Sequence, residues 1–113
     1  MQKMYSIDEM IYDCPVEALS SILGKKWVAG IIWELQNKKM RFGELQRSLD
    51  GCSKKMLTQQ LELLINNDII INDKKISNNA VESTYYLSES GLALLPIMET
   101  MIYWSNSNLA CGK

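Results

Sequence analysis

Apolar residues recur three and four places apart along two short stretches in the middle of the chain. The first runs Arg41-Phe42-Gly43-Glu44-Leu45-Gln46-Arg47-Ser48-Leu49 and puts Phe42, Leu45 and Leu49 on one helical face. The second runs from Ser53 to Leu64 and puts Leu57, Leu61 and Leu64 on one face. Asp50-Gly51-Cys52 interrupts the two. Asp-Gly is turn chemistry, because glycine takes positive φ at no steric cost. Ser53 stands where an N-cap belongs, its hydroxyl able to accept a free N–H of the next turn. Two short amphipathic helices joined in this way predict a helix-turn-helix.

The flanks extend the pattern. Residues 1 to 13 show no period and read as an arm. Cys14-Pro15 opens a helix, since proline suits the first helical position. Val16, Leu19, Ile22 and Leu23 form its apolar face, and Gly24 ends it. A second helix from about Lys26 to Gln36 turns Trp27, Ile31, Ile32 and Leu35 inward. Asn37-Lys38-Lys39 is a polar break, and Met40-Arg41 reads as a short strand. Beyond Leu64, Asn66-Asn67-Asp68 frays the helix and Ile69-Ile70-Ile71 starts a strand. Asp73-Lys74-Lys75 and Asn78-Asn79 read as turn residues, and Val81 to Leu87 as the returning strand. Such a hairpin after a helix-turn-helix is a wing. Ser88 caps a last helix from about Glu89 to Ser107. The predicted fold is mainly α with a small β-wing (α+β): one winged helix-turn-helix domain spanning residues 1 to 113.

The last helix is apolar on more than one side. Leu92, Leu95, Met98, Met101, Ile102 and Trp104 exceed the single stripe that a surface helix needs. They predict a dimer interface, because excess apolar surface at the end of a small domain calls for a partner. The expected partner is a second copy of the chain.

Composition excludes several classes. An apolar content of 47% excludes global disorder. No apolar run is long enough for a membrane span, and Met1-Gln2-Lys3-Met4-Tyr5 lacks the core of a signal peptide. The expected location is cytoplasmic. The chain has no histidine, so a histidine-dependent triad is excluded, and no nucleophile with a base emerges. The expectation is a non-enzyme. Cys14, Cys52 and Cys111 follow no metal spacing, so neither a metal nor a cofactor is expected.

Charge is more informative by position than in total. The net charge is −1 and the pI about 5.4, which speaks against nucleic acid. Residues 38 to 75, however, hold eight Lys/Arg against five Asp/Glu, while both ends are acidic. A basic centre suits double-stranded DNA. Ser53, Lys54, Lys55, Thr58, Gln59 and Gln60 lie at the start of the second helix, where a recognition helix reads base edges and phosphates. Arginine suits bidentate phosphate contact, which assigns Arg41 to the backbone; a salt bridge to Glu44 is the competing reading. The helix residues read equally as a solvated face, were it not for the turn before them and the wing after.

Five pieces in order carry a family resemblance. They are Cys14-Pro15-Val16-Glu17, Gly24-Lys25-Lys26-Trp27, Arg41-Phe42-Gly43-Glu44-Leu45, Lys55-Met56-Leu57-Thr58-Gln59-Gln60-Leu61 and Tyr85-Tyr86-Leu87-Ser88-Glu89-Ser90-Gly91. The chain resembles the HxlR-type winged helix-turn-helix transcription regulators of bacteria, relatives of the MarR type. The resemblance implies a homodimer on a pseudo-palindromic operator. It also implies a sensor of oxidants or electrophiles at the cysteine of the Cys-Pro piece, which is Cys14 here. A helix N-terminus stabilises a thiolate, while a packing role is the plainer reading of a free cysteine. Cys52 of the other copy is a candidate disulfide partner. The family's wing often has a Pro-Pro pair and a basic residue where this chain reads Ala80-Val81-Glu82. Basic wing contacts then fall to Lys74 and Lys75. A protein-binding winged-helix adaptor that leaves DNA untouched is the alternative from another class.

Overall fold

The computed structural model describes residues 3 to 112; Met1, Gln2 and Lys113, the extreme ends of the expected arm and domain, lie outside them. A hairpin of β1 (Tyr5–Ile7) and β2 (Met10–Tyr12) comes first. Helices α1 (Pro15–Leu23) and α2 (Val28–Glu34), strand β3 (Met40–Arg41), and helices α3 (Phe42–Ser48) and α4 (Lys54–Asn66) follow. Strands β4 (Ile70–Ser77) and β5 (Ala80–Leu87) lead into α5 (Glu89–Asn108). The sheet order is β3-β5-β4, antiparallel throughout. This is a winged helix-turn-helix.

The core sits where α2, α3 and α4 meet the base of the wing. Val28, Ile31, Ile32, Leu45, Leu57, Leu64 and Ile70 are fully enclosed. The periodic leucines of the two central helices therefore do what their spacing predicts. Ser53 caps α4, its hydroxyl accepting from the Met56 N–H at 3.1 Å. Ser88 caps α5 in the same way, accepting from the Gly91 N–H at 3.1 Å.

Four local expectations change. Residues 5 to 12 form a hairpin instead of a featureless arm, turning at Asp8 with φ 53°. Its strands are too short to show a period, but Ile7 is buried and Tyr5 and Tyr12 pack on the core. Helix α2 starts later than Lys26, because Trp27 takes a left-handed conformation with φ 76°. Asp73-Lys74-Lys75 is strand: Lys74 pairs with Ser83 and Lys75 with Glu82. The wing turns only at Asn78-Asn79, whose φ values of 50° and 65° make the two-residue loop that suits strand twist. Val16 faces out at 72% exposure, and Ala18 joins Ile22 on the inner side of α1.

Helix α5 is seated against the end of α4. The Ser88 hydroxyl lies 2.5 Å and the Ser90 hydroxyl 2.8 Å from the Asp68 carbonyl oxygen. At Gly91 a Cβ would collide with the Ile69 carbonyl oxygen. Gly91→Ala is expected to cost about 1–3 kcal/mol, as overpacking does. A denaturant midpoint measures it, and an unchanged midpoint would contradict this seating.

Candidate nucleic-acid interface

The outward face of α4 carries Lys54, Lys55, Thr58 and Gln59, all exposed. Ser53 precedes them, its hydroxyl occupied by the cap. The Thr58 hydroxyl donates to the Lys54 carbonyl at 2.9 Å, leaving its methyl and oxygen at the surface. Neither lysine has an ion pair among the described residues. Helix α4 is thus cationic at its start, as a helix entering a groove requires.

Gln60 is a correction. It is only 8% exposed, and its amide Nε2 donates to the Lys26 carbonyl at 2.9 Å. Its position contained the signal: it stands three residues after Leu57 and four before Leu64, on the buried face. It ties α4 to the loop between α1 and α2 and does not face a base.

At the wing, Lys74 and Lys75 are exposed on β4. The Arg41 guanidinium lies 3.3 Å from Glu82 Oε2. Glu44 accepts instead from the Arg41 backbone N–H at 3.1 Å, so the competing reading, an Arg41–Glu44 side-chain pair, gives way to a helix cap. The carboxylate that departs from the family's wing therefore holds the nearest arginine. Both groups are exposed, so phosphate can compete for that guanidinium.

The last helix divides in two. Leu94 and Met98 are buried in the single chain, so Met98 faces mainly inward, although it also lines one hollow beside the exposed face. Met98 lies four residues after Leu94, on the same inner stripe. Leu95 is partly buried against the core. Leu92, Met101, Ile102 and Trp104 are exposed, joined by Ile97 and Tyr103. Two adjoining hollows of about 490 and 290 Å³ run between this face and α1–α2. Leu23 and Met101 line both, with Val16 and Leu19 in the first and Ala29 and Ile102 in the second.

Cys14 is partly exposed and directly precedes α1, with Pro15 as the first helical residue. Cys52 is buried in the turn before α4. Burial pushes its thiol up from the ordinary value, and the nearby charge of Lys26 offsets part of that rise. Pairing with a second sulfur would require the turn to open. Cys111 is exposed near the end of the chain.

These elements define the class: a helix-turn-helix with a wing, presenting one cationic helix face. The chain belongs to the HxlR-like helix-turn-helix family, whose pattern matches residues 22–112. It is 37% identical over 98 residues to MalR of Fusobacterium mortiferum, covering 86% of this chain and 92% of that protein. The reduced form of the transcriptional regulator YodB from Bacillus subtilis superposes with a TM-score of 0.80 at 32% identity, covering 88% of this chain and 98% of that one. The redox regulator HypR in its reduced form gives 0.77 at 30% identity, covering 84% and 93%. This chain is a transcriptional regulator of the helix-turn-helix type. Among its described residues no helix is long and apolar enough to cross a membrane.

Proposed function

We propose that this regulator binds double-stranded DNA as a homodimer, with one α4 helix in each of two successive major grooves. The exposed Lys54 and Lys55, without an ion pair among the described residues, beside Thr58 and Gln59 carry this reading. Gln59 reads an adenine edge, the lysines and Arg41 hold phosphates, and Lys74 and Lys75 meet the backbone beside the wing. The exposed face of α5, with Val16 and Leu19 of α1, forms the dimer seam. Such a dimer has to hold its two α4 helices about 34 Å apart, one turn of duplex, to reach successive grooves.

Selection of duplexes from a random pool tests this, together with sedimentation. The expected result is a pseudo-palindromic site bound by a particle of two chains, with affinity falling steeply as salt rises. A protein that selects no duplex, or binds without salt dependence, would instead be an adaptor.

The same seam suggests a signal. HypR has been solved in an oxidised as well as a reduced form, and YodB after diamide treatment. By analogy, a peroxide-class oxidant converts the Cys14 thiol to a sulfenic acid, releasing the reduced oxidant. The Cys52 thiol of the other copy then displaces water to form a disulfide. Cys14 reacts first, being the more accessible of the two. A change at the start of α1, beside the seam, would shift one α4 against the other. DNA binding measured before and after mild peroxide, in parent and Cys14→Ser, decides this. Equal responses would assign Cys14 to packing.

A further inference from the structure

We propose that Lys25 and Lys26 form a second phosphate-binding site beside α4, and that Gln60 is the residue that positions it. The proposal rests on the reading of α4 as the groove-entering helix.

Two hollows flank α4. On one side Thr58 shares a hollow of about 360 Å³ with Asn72 and Lys74 of the wing. On the other side Gln59 shares a hollow of about 510 Å³ with Lys25 and Lys26. The neighbouring outward residues Thr58 and Gln59 therefore each face a basic element, one on either side of the same helix. A major groove has this symmetry: it is about 12 Å wide and bounded by a phosphate ridge on each side. Lys74 of the wing matches one ridge, and the lysines of the α1–α2 loop match the other.

The loop is held to α4 and is not a free surface segment. The Gln60 amide crosses from the buried side of α4 to the Lys26 carbonyl at 2.9 Å. Met56 Sδ lies 3.5 Å from the same nitrogen. Trp27, next in sequence, is partly buried against the core. The Lys26 ammonium lies 5.3 Å from the centre of its ring. Lys25 and Lys26 are exposed, and neither has an ion pair among the described residues. Asp8 and Glu62 line the same hollow. Glu62 lines the wing-side hollow as well, so on both sides the phosphate contact is assigned to the exposed ammonium groups and not to the floor of a hollow.

The probe is a duplex selected from a random pool by the parent protein, with a shuffled duplex of equal length as control. Affinity is measured over a range of salt. Lys25→Gln/Lys26→Gln is expected to weaken both duplexes by the same factor and to reduce the salt slope by about two. Gln60→Leu, which keeps the volume but removes the bond to the Lys26 carbonyl, is expected to reduce the slope while leaving both lysines in the chain. Added to the lysine double variant it should change the slope no further, because both act on one contact. A double variant with the parent's slope overturns the site. If Lys54→Gln lowers the slope on the same duplex, the DNA-binding reading survives that result. A slope loss from Gln60→Leu that simply adds to the lysine loss removes Gln60 from the role. A parent that selects no duplex overturns both readings together.

Discussion

A chain carrying Met101→Asp is expected to sediment as a single copy and to lose roughly 10²–10⁴-fold in affinity for a two-half-site duplex, the gain that linking two binding units supplies. Met101 is 50% exposed and lines both apolar hollows between α5 and the α1–α2 region. In a twofold interface each residue occurs twice, so one substitution puts two carboxylates into one apolar seam. An ionised carboxylate without a partner is strongly disfavoured there. Half-exposed Met101 tolerates a polar replacement in the single chain, so thermal unfolding of the isolated fold should change little. Met101→Leu, which keeps the volume and the apolar character, should remain a dimer. A dimeric Met101→Asp protein would place the seam elsewhere.

Gln59→Ala is expected to cost roughly 1–3 kcal/mol at one base position of each half-site and to relax the preference there. Lys54→Ala and Lys55→Ala should act differently, weakening all duplexes alike and lowering the salt slope by about one each. The distinction follows from chemistry: an amide reads a base edge by donor and acceptor, whereas an ammonium sees only charge. Binding to duplexes varied one position at a time separates the two. Gln60→Ala should show neither pattern cleanly, because its first effect is to leave the Lys26 carbonyl without its Gln60 partner. If Gln59→Ala binds every varied duplex as the parent does, α4 does not read bases through that residue.

Much of the site was legible because its signals are local. A helix that must bury one face displays a 3.6-residue period, so Leu57, Leu61 and Leu64 announce α4 before any fold is known. The caps at Ser53 and Ser88 are equally local, each spanning three residues. The basic face of α4 follows as the complement of its leucine stripe. Residue type points Gln60 outward and the breadth of apolar surface points Met98 to an interface, but their spacing from Leu57, Leu64 and Leu94 turns both inward. For both residues helical geometry overrides the habit of the side chain.

The sequence by itself determined the helix-turn-helix, the wing and the surplus of apolar surface on α5, because each rests on contacts between near neighbours in the chain. The tertiary structure alone decided what joins distant segments. Glu82 meets Arg41 across 41 positions because β3 and β5 pair, and pairing register is invisible until both strands are placed. Gln60 reaches Lys26 across 34 positions because α4 packs on the α1–α2 loop. The left-handed Trp27 and the three-residue strands of the first hairpin belong with them. The left-handed backbone at Trp27 is unfavourable by itself, and the hairpin strands, though they contain Tyr and Ile, are too short to show a period; the assembled core holds both in place.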